Sequence, residues 1–478
     1  MALDAGHSYK LTFNGFTMPA NQAFVVDGGT LGASDVLTFN ASAQTHGLFY
    51  VVGGAGDDVL TGGGDATFFD LSHGGDDSAT GGAGNDVFYN LNGGDISGGA
   101  GNDTLLIDGD FSSGYFLGGG LTSIETLAML ESGFTYDIAA FNSGIPANTT
   151  LAIDGGRLTS ALTFDASQVT QGHFTVTGGA GDDVLTGGSL SDSFDLTKGG
   201  NDSVTGGGGA DTVTLGATLT IGDHITGDGN DVVSISGDYS AGLVMGVHTL
   251  LNVGEFDLGD GFAYNIAFND GSMSGTAQQL HVVGYGTTVM HMDASAETNS
   301  QYDFYAGAGD DVLIGGGGTD FFDLSLNQSG MLSGNDTAQG NSNRDVYQAS
   351  DNAQDHDTFV YKLVSDSTST TLDQILSMNF SSDTLSISAI GAVTAVDPHA
   401  VGGTLSDGSH FDTQLSAAVG AGQLAAHHAV LFTANAGGDS GHSYVVIDEN
   451  GTAGYQAGGD IVIEVTGFTG TLALSDFS

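Results

Sequence analysis

The chain has 478 residues, 81 of them glycine and 3 proline, and 57 Asp and Glu against 5 Lys and Arg give a formal charge of −52. So little proline excludes a collagen-like helix, the charge sets the chain against nucleic acid and anionic lipid, and the absence of cysteine excludes disulfide frameworks and thiolate metal sites. The apolar content of 40 % demands a buried core, no run of eighteen apolar residues spans a membrane, and so acidic a chain compacts most readily around bound cations.

The first ten residues, Met1 to Lys10, lack the basic and apolar regions of a secretory signal peptide, so an exported chain is expected to carry its address elsewhere. Short alternating strands follow at Leu11–Phe13, Phe24–Val26, Val36–Phe39 and Phe49–Val52, separated by Gly, Asn, Asp and Ser turns. Then comes Gly53-Gly54-Ala55-Gly56-Asp57-Asp58-Val59-Leu60-Thr61, of the form G-G-x-G-x-D-x-U-x with U apolar. Full copies return at Gly81–Tyr89, Gly98–Leu106, Gly178–Thr186, Gly206–Thr214 and Gly315–Asp323. Near copies stand at Ser72–Thr80, Gly187–Asp195, Thr197–Thr205, Thr226–Ser234 and Ala306–Ile314.

Each part of the nonamer has a physical use. Glycine permits tight turns with positive φ, the carboxylate at position six is a hard oxygen ligand of the kind calcium prefers, and the apolar residue two places on opens a strand and points into the core. Two nonamers make one coil of turn, strand, turn and strand. Same-edge acids should therefore recur about every eighteen residues, and Asp58 to Asp77, Asp183 to Asp202 and Asp192 to Asp211 are nineteen apart, Asp86 to Asp103 seventeen. A disordered glycine-rich linker has no reason to keep that phase.

A longer repeat contains the nonamers: GGAGDDVLTGG at Gly53–Gly63 returns letter for letter at Gly178–Gly188 and as AGAGDDVLIGG at Ala306–Gly316. Three modules are expected, at residues 1–133, 134–261 and a truncated 262–355, followed by a different region at 356–478. A helical period is visible only in Gly402–Val430.

The nonamer resembles the calcium-binding repeat of RTX (hemolysin-type) proteins. The tail resembles the C-terminal region of RTX exoproteins exported by type I secretion, such as that behind serralysin-type proteases. The matching residues are Ser365-Asp366-Ser367-Thr368, Asp383-Thr384-Leu385-Ser386-Ile387-Ser388-Ala389-Ile390, Val446-Ile447-Asp448-Glu449-Asn450-Gly451 and Ser475-Asp476-Phe477-Ser478. The resemblance implies an all-β protein: a parallel β-roll or β-solenoid of calcium-binding nonapeptides in three modules, then a β-rich secretion domain. It implies several Ca2+ ions, each between successive same-edge turns, held by an aspartate of one turn and carbonyls of both. The ligand residues it implies are Gly54, Gly56, Asp58, Asp77, Gly82, Gly84, Asp86, Gly99, Gly101, Asp103, Gly179, Gly181, Asp183, Asp192, Asp202, Gly207, Gly209, Asp211, Asp231, Gly307, Gly309, Asp311, Gly316, Gly318, Asp320 and Asp336. Asp345 is expected to be a weaker rung, because its turn, Gly340-Asn-Ser-Asn-Arg344, has lost its second glycine. Export unfolded through a type I apparatus, to the extracellular space or cell surface, follows from the same resemblance.

No catalytic residue is assigned. The first module begins near residue 7, and neither H-E-x-x-H nor G-x-S-x-G occurs. Gly438-Asp439-Ser440-Gly441 resembles a serine-protease nucleophile loop and reads as a turn; Asp397-Pro398-His399 resembles the catalytic tripeptide of alginate epimerases and reads as a loop. His427 and His428, with His399 and His410, could form a transition-metal site but read as exposed or singly packed residues. The paired acids Asp57-Asp58, Asp182-Asp183 and Asp310-Asp311 read as one metal-facing and one solvent-facing residue rather than a glycosidase pair. Asp448-x-Asn450-Gly451, with Asp460, reads equally as a small calcium loop or a β-turn. The expected protein is a non-catalytic, secreted calcium-binding β-solenoid of structural, surface-layer, matrix or adhesive use, with self-assembly or a cell-surface glycan as further partners. The alternative is a polysaccharide lyase or epimerase, or a glycan-binding module, using the solenoid face.

Overall fold

A computed structural model describes residues 1–14, 19, 22–90, 93–118, 120–130, 133–272, 279–325, 334–350, 352, 354–387, 393–406 and 408–478. Of the tail residues singled out above, Ser388-Ala389-Ile390 lie outside this set. The chain divides into two units, residues 1–231 and 232–478.

The first unit is a parallel β-roll. Short strands such as Val59–Thr61, Thr67–Asp70, Asp77–Gly82 and Val87–Tyr89 alternate between two sheets, because each six-residue glycine turn reverses the chain before the next apolar residue. One sheet runs unbroken through ten strands, from Ala23–Asp27 to Thr212–Gly216. Its inward residues form a single file, Val26, Val51, Phe69, Phe88, Leu105, Leu127, Ile153, Val176, Phe194 and Val213, none more than 2 % exposed. Opposite it stand two sheets in succession. The first ends at Leu121–Thr122 and the second starts with Phe111–Leu117, a strand whose register slips between Phe111 and Tyr115. Two-residue alternation of buried and outward positions, as in Leu37–Asn40 and Thr67–Asp70, is what a half-buried strand requires.

The second unit begins in the same way. Parallel strands Glu255–Leu258, Gln279–Gly284, Gln301–Tyr305, Phe321–Asp323, Val346–Gln348 and Asp373–Leu376 form one face. Tyr239–Val244, Ala263–Ala267, Val289–Asp293, Val312–Ile314, Thr337–Gln339, Thr358–Tyr361 and Thr384–Ile387 form the other. The stacking thus runs in register past the last nonamer, to Ile387. Beyond Asp373–Leu376 the sheet gains Ile461–Thr466 in parallel, then Ser443–Ile447 and His428–Thr433 in antiparallel, then Ala395–Val401 in parallel with a bulge. Helix Phe411–Ala418 lies within Gly402–Val430, where the helical period was seen, and buries Phe411 and Leu415 against Val430, Phe432, Tyr444, Val446 and Val462. The last residues close onto the roll through bridges Asn379–Thr469 and Leu385–Phe477.

The core between the faces is one side chain deep, so each rung depends on its neighbours. Phe322 is fully buried, with ring centroids 5.4 Å from Phe304 and 5.0 Å from Tyr347. Phe322→Ala in calcium-saturated protein is expected to cost about 3–5 kcal/mol in urea unfolding. A loss below about 1 kcal/mol would show that the file is not close-packed.

Candidate metal centre

The position-six aspartates stand at the roll edges, each one residue before a strand except Asp77, which opens its strand. In each, Oδ1 accepts the backbone N–H of the equivalent residue one coil earlier, so that the acids form ladders. In residues 1–133 one edge runs Leu37 N to Asp58 (2.7 Å) and Asp58 N to Asp77 (2.9 Å). The other runs Thr67 N to Asp86 (2.6 Å), Asp86 N to Asp103 (2.7 Å) and Asp103 N to Glu125 (2.7 Å). Farther along the same unit, Asp183, Asp202 and Asp223 form one ladder, with links of 2.9 and 2.7 Å, and Asp192, Asp211 and Asp231 another, both links 2.7 Å. In the second unit the ladders are Asp311, Asp336, Asp357 and Asp383, and Asp320, Asp345 and Asp373, with links of 2.8 to 3.3 Å. The neighbouring acids behave as opposite-pointing residues should: Asp57, Asp182 and Asp310 are exposed while Asp58, Asp183 and Asp311 are 1 % exposed.

The second carboxylate oxygen divides the rungs into two kinds. At Asp58, Asp183, Asp192, Asp311 and Asp320, Oδ2 accepts the N–H of the second residue of its own turn: Gly54, Gly179, Gly188, Gly307 and Gly316, at 2.6 to 3.2 Å. At Asp86, Asp103, Asp211, Asp336, Asp345 and Asp373, Oδ2 is buried and meets no donor, whereas at Asp223, Asp231, Asp357 and Asp383 it accepts a backbone N–H from Thr220, Asp228, Ser350 and Asn379. The turns explain the difference. Gly82, Gly99 and Gly207, the second residues of later turns, take φ of +130°, +106° and +104°, and none of their N–H groups caps the aspartate. These turns also sit on the carbonyls of the turn before: a Cβ on Gly207 would fall on the oxygen of Gly188, and one on Gly82 on that of Gly63. Gly101 and Gly209 are likewise left-handed, and the carbonyls of Gly56, Gly84, Gly181 and Gly309 press on the following turn, while Gly318 abuts the Ser300 carbonyl.

What the edges offer is therefore an array of hard oxygens, carboxylate from one turn and carbonyl from another. That set fits calcium. Among the described residues no three His, Asp or Glu side chains converge on one point, so carbonyls must complete each shell. Nor does any Lys or Arg lie within 4.0 Å of a carboxylate among them; the ion pairs are His with acid. Burial, and then the neighbouring rung, push the carboxylates up: Asp86, Asp202 and Asp211 to about 7, Asp345 to about 8 and Asp336 to about 10. A buried carboxylate oxygen without a partner demands a proton or a cation.

Two features differ from the sequence-based expectation. Asp345 is no weaker in its placement: it is fully buried between Asp320 and Asp373, because Asn341 and Asn343 take φ of +72° and +83° in place of the missing glycines, a conformation asparagine tolerates. And the ladders include Glu125, Asp223, Asp357 and Asp383, which precede strands without a G-G-x-G turn, and Asp373, which opens one. The signal that finds them is an acid two residues before an inward apolar residue, as in Asp357-Thr-Phe359, Asp373-Gln-Ile375 and Asp383-Thr-Leu385.

The other constellations stay apart. Asp397 Oδ1 lies 3.0 Å from His428 Nδ1 and its Oδ2 accepts the Ala425 N–H, while His399 Nε2 meets the Thr433 hydroxyl at 2.9 Å. Asp397, Pro398 and His399 border a cavity of about 520 Å3 with Leu431 and Phe468. Asp439 donates its N–H to the Leu405 carbonyl in the turn before Ser443–Ile447, and Ser440 there is exposed.

A two-faced parallel roll whose edges carry stacked, cation-less aspartates defines a calcium-binding β-roll protein. The RTX calcium-binding nonapeptide repeat family matches residues 50–66 and 73–97, and the Peptidase M10 serralysin C-terminal family matches residues 166–401. No curated protein matches the chain. The chain carries RTX calcium-binding nonapeptide repeats, which bind calcium ions at several sites, and a region similar to the serralysin C-terminal domain.

The raised carboxylates fix the pH response of the calcium-free roll. A folded-state value near 7 against about 4 unfolded means that the folded form holds the extra proton, so stability is full below about 4 and falls as pH rises toward 7. In chelator, the strand signal in circular dichroism should grow as pH is lowered from 7 to 4. A profile that is flat, or that falls on acidification, would sink this account.

Proposed function

We propose that the protein is exported unfolded by a type I system, folds on meeting extracellular calcium, and serves as a structural component of a surface layer, matrix or adhesive coat. Asp58, Asp77, Asp86, Asp103, Asp183, Asp192, Asp202, Asp211, Asp231, Asp311, Asp320, Asp336 and Asp345 are its calcium carboxylates, with the turn glycines supplying carbonyls. The observation that carries this reading is the ladder of buried carboxylate oxygens lacking donors. Successive acids about 5 Å apart repel by about 3 kcal/mol at an effective dielectric near 20. At about 100 times the dissociation constant each bound ion returns roughly 2.7 kcal/mol, so several ions together decide whether the roll folds.

In chelator at neutral pH the roll is expected to be largely disordered, and millimolar calcium should restore strand signal cooperatively with a fall in hydrodynamic radius. Asp211→Ala and Asp345→Ala should each raise the calcium midpoint. Strand signal already complete in chelator at pH 7 defeats calcium-gated folding. Deleting residues from about 420 onward removes three strands of the terminal sheet and should trap the chain in the cell. Normal export of that truncation would refute the type I route. Electron microscopy with and without calcium tests the coat role, which requires calcium-dependent assembly.

A second reading, binding of a neutral glycan, is favoured by one outward patch. Glu255, Asp257, His281, Asp303 and Tyr305 occupy positions that carry Thr126, Ala128, Ala152, Thr175 and Thr177 in the preceding module, so the fold does not require them. Asp303 gathers Gln301 Nε2 (3.0 Å) and His281 Nε2 (3.5 Å), and the Tyr285 hydroxyl reaches Asp257 at 3.2 Å. Asp303→Ala should then abolish retardation by neutral polysaccharide in affinity electrophoresis without altering calcium-induced folding.

A further inference from the structure

The loop between strands Ser443–Ile447 and Ile461–Thr466 runs from Asp448 to Asp460, outside both matched segments. Asp448, Glu449 and Asp460 stand at its two ends and are 2 %, 5 % and 0 % exposed. Asp448 Oδ2 and Glu449 Oε1 are buried and meet no donor. Three other oxygens, Asp460 Oδ1 (2.8 Å), Gln456 Oε1 (3.0 Å) and the Gly459 carbonyl (3.3 Å), converge on a single group, the side-chain amide nitrogen of Asn450. The backbone is shaped around them: the Gly451 N–H caps Asp448 Oδ1 at 2.6 Å, and Gly451, Gly454 and Gly458 take φ of +74°, +89° and +69°. No lysine or arginine among the described residues comes within 4.0 Å of these acids.

Three buried carboxylates with no cationic partner cost far more than a hydrogen-bonded turn needs. Three oxygens already gathered on one amide, with two buried acceptors lacking donors at the same end of the loop, are what a hard divalent ion selects. We propose that the Asp448–Asp460 loop is a calcium site independent of the roll edges. The ion takes the place the Asn450 amide holds among Asp460, Gln456 and Gly459, and brings the open oxygens of Asp448 and Glu449 into its shell. As on the edges, no three acidic side chains already converge, so amide and carbonyl oxygens complete the coordination. Its effect is to pin the hairpin that joins the two central strands of the terminal sheet.

Native mass spectrometry of the full chain in saturating calcium counts the ions, and hydrogen exchange of peptides covering 448–460 reports on the loop. The Asp448→Asn, Glu449→Gln double variant should bind one ion fewer and exchange at least tenfold faster in that loop, with roll peptides unchanged. An unchanged ion count overturns the proposal, because the roll sites are intact in this variant. Asn450→Asp guards against a folding defect. With an ion present the added carboxylate keeps the count and the protection; without one it sets a further carboxylate against the oxygens of Asp460, Gln456 and Gly459, and faster exchange at an unchanged count overturns the proposal again. Failure of calcium-gated roll folding would appear in the roll peptides and leaves this test readable.

Discussion

The structure rests on one repeated hydrogen bond and on what that bond leaves over. Each position-six aspartate gives Oδ1 to the N–H of its counterpart one coil earlier and so fixes the register of two successive coils at their edge. At Asp86, Asp103, Asp211, Asp336, Asp345 and Asp373 the other oxygen is then buried with nothing to accept. The same side chain that aligns the coils therefore makes them unstable by themselves. Register and cation demand are two consequences of a single carboxylate.

The rest of the roll is too slight to override that demand. Strands of three residues, such as Val184–Thr186, Ser193–Asp195 and Ser203–Thr205, bring one inward side chain each: Leu185, Phe194 and Val204. Between them lie glycine turns with the largest backbone entropy cost of any residue. Close packing along the file is consistent, as the stacks Phe69–Phe88 and Phe304–Phe322–Tyr347 show. It is nevertheless one layer thick, and it must be offset against ordering six residues for every three that pack. A bound ion changes the balance at the turn, where the entropy is lost and where the charge accumulates.

The phase of the nonamers made the roll legible in sequence, since position six and the apolar residue two later specify the edge and the inward face together. Legibility ended where the turn changed its chemistry and kept its geometry. Asn341 and Asn343 adopt the left-handed backbone that the glycine rule reserves for glycine, so Asp345 looked diminished. Asp357, Asp373 and Asp383 follow loops with no G-G-x-G at all, yet occupy the same rung of a ladder at the start of a strand. The division of rungs into capped and open could not be read from letters, because Gly54 and Gly82 stand at equivalent positions of near-identical nonamers. It depends on the backbone of that residue, which is left-handed at Gly82 and not at Gly54.

The same stacking governs how the second unit ends. A parallel stack always leaves a last strand with unpaired backbone groups, an invitation to edge-to-edge association. Asp373–Leu376 is covered by Ile461–Thr466, which lies parallel to it but is followed outward by antiparallel strands. The change of direction ends the need for edge turns, and with it the supply of stacked aspartates. In their place the sheet has strands buried along nearly their whole length, Ser443–Ile447 and Ile461–Thr466, packed under a helix. Stability there comes from apolar burial on two faces, which is the feature the roll lacks. Three buried acids of this region, Asp448, Glu449 and Asp460, gather in the one loop where those two strands reverse.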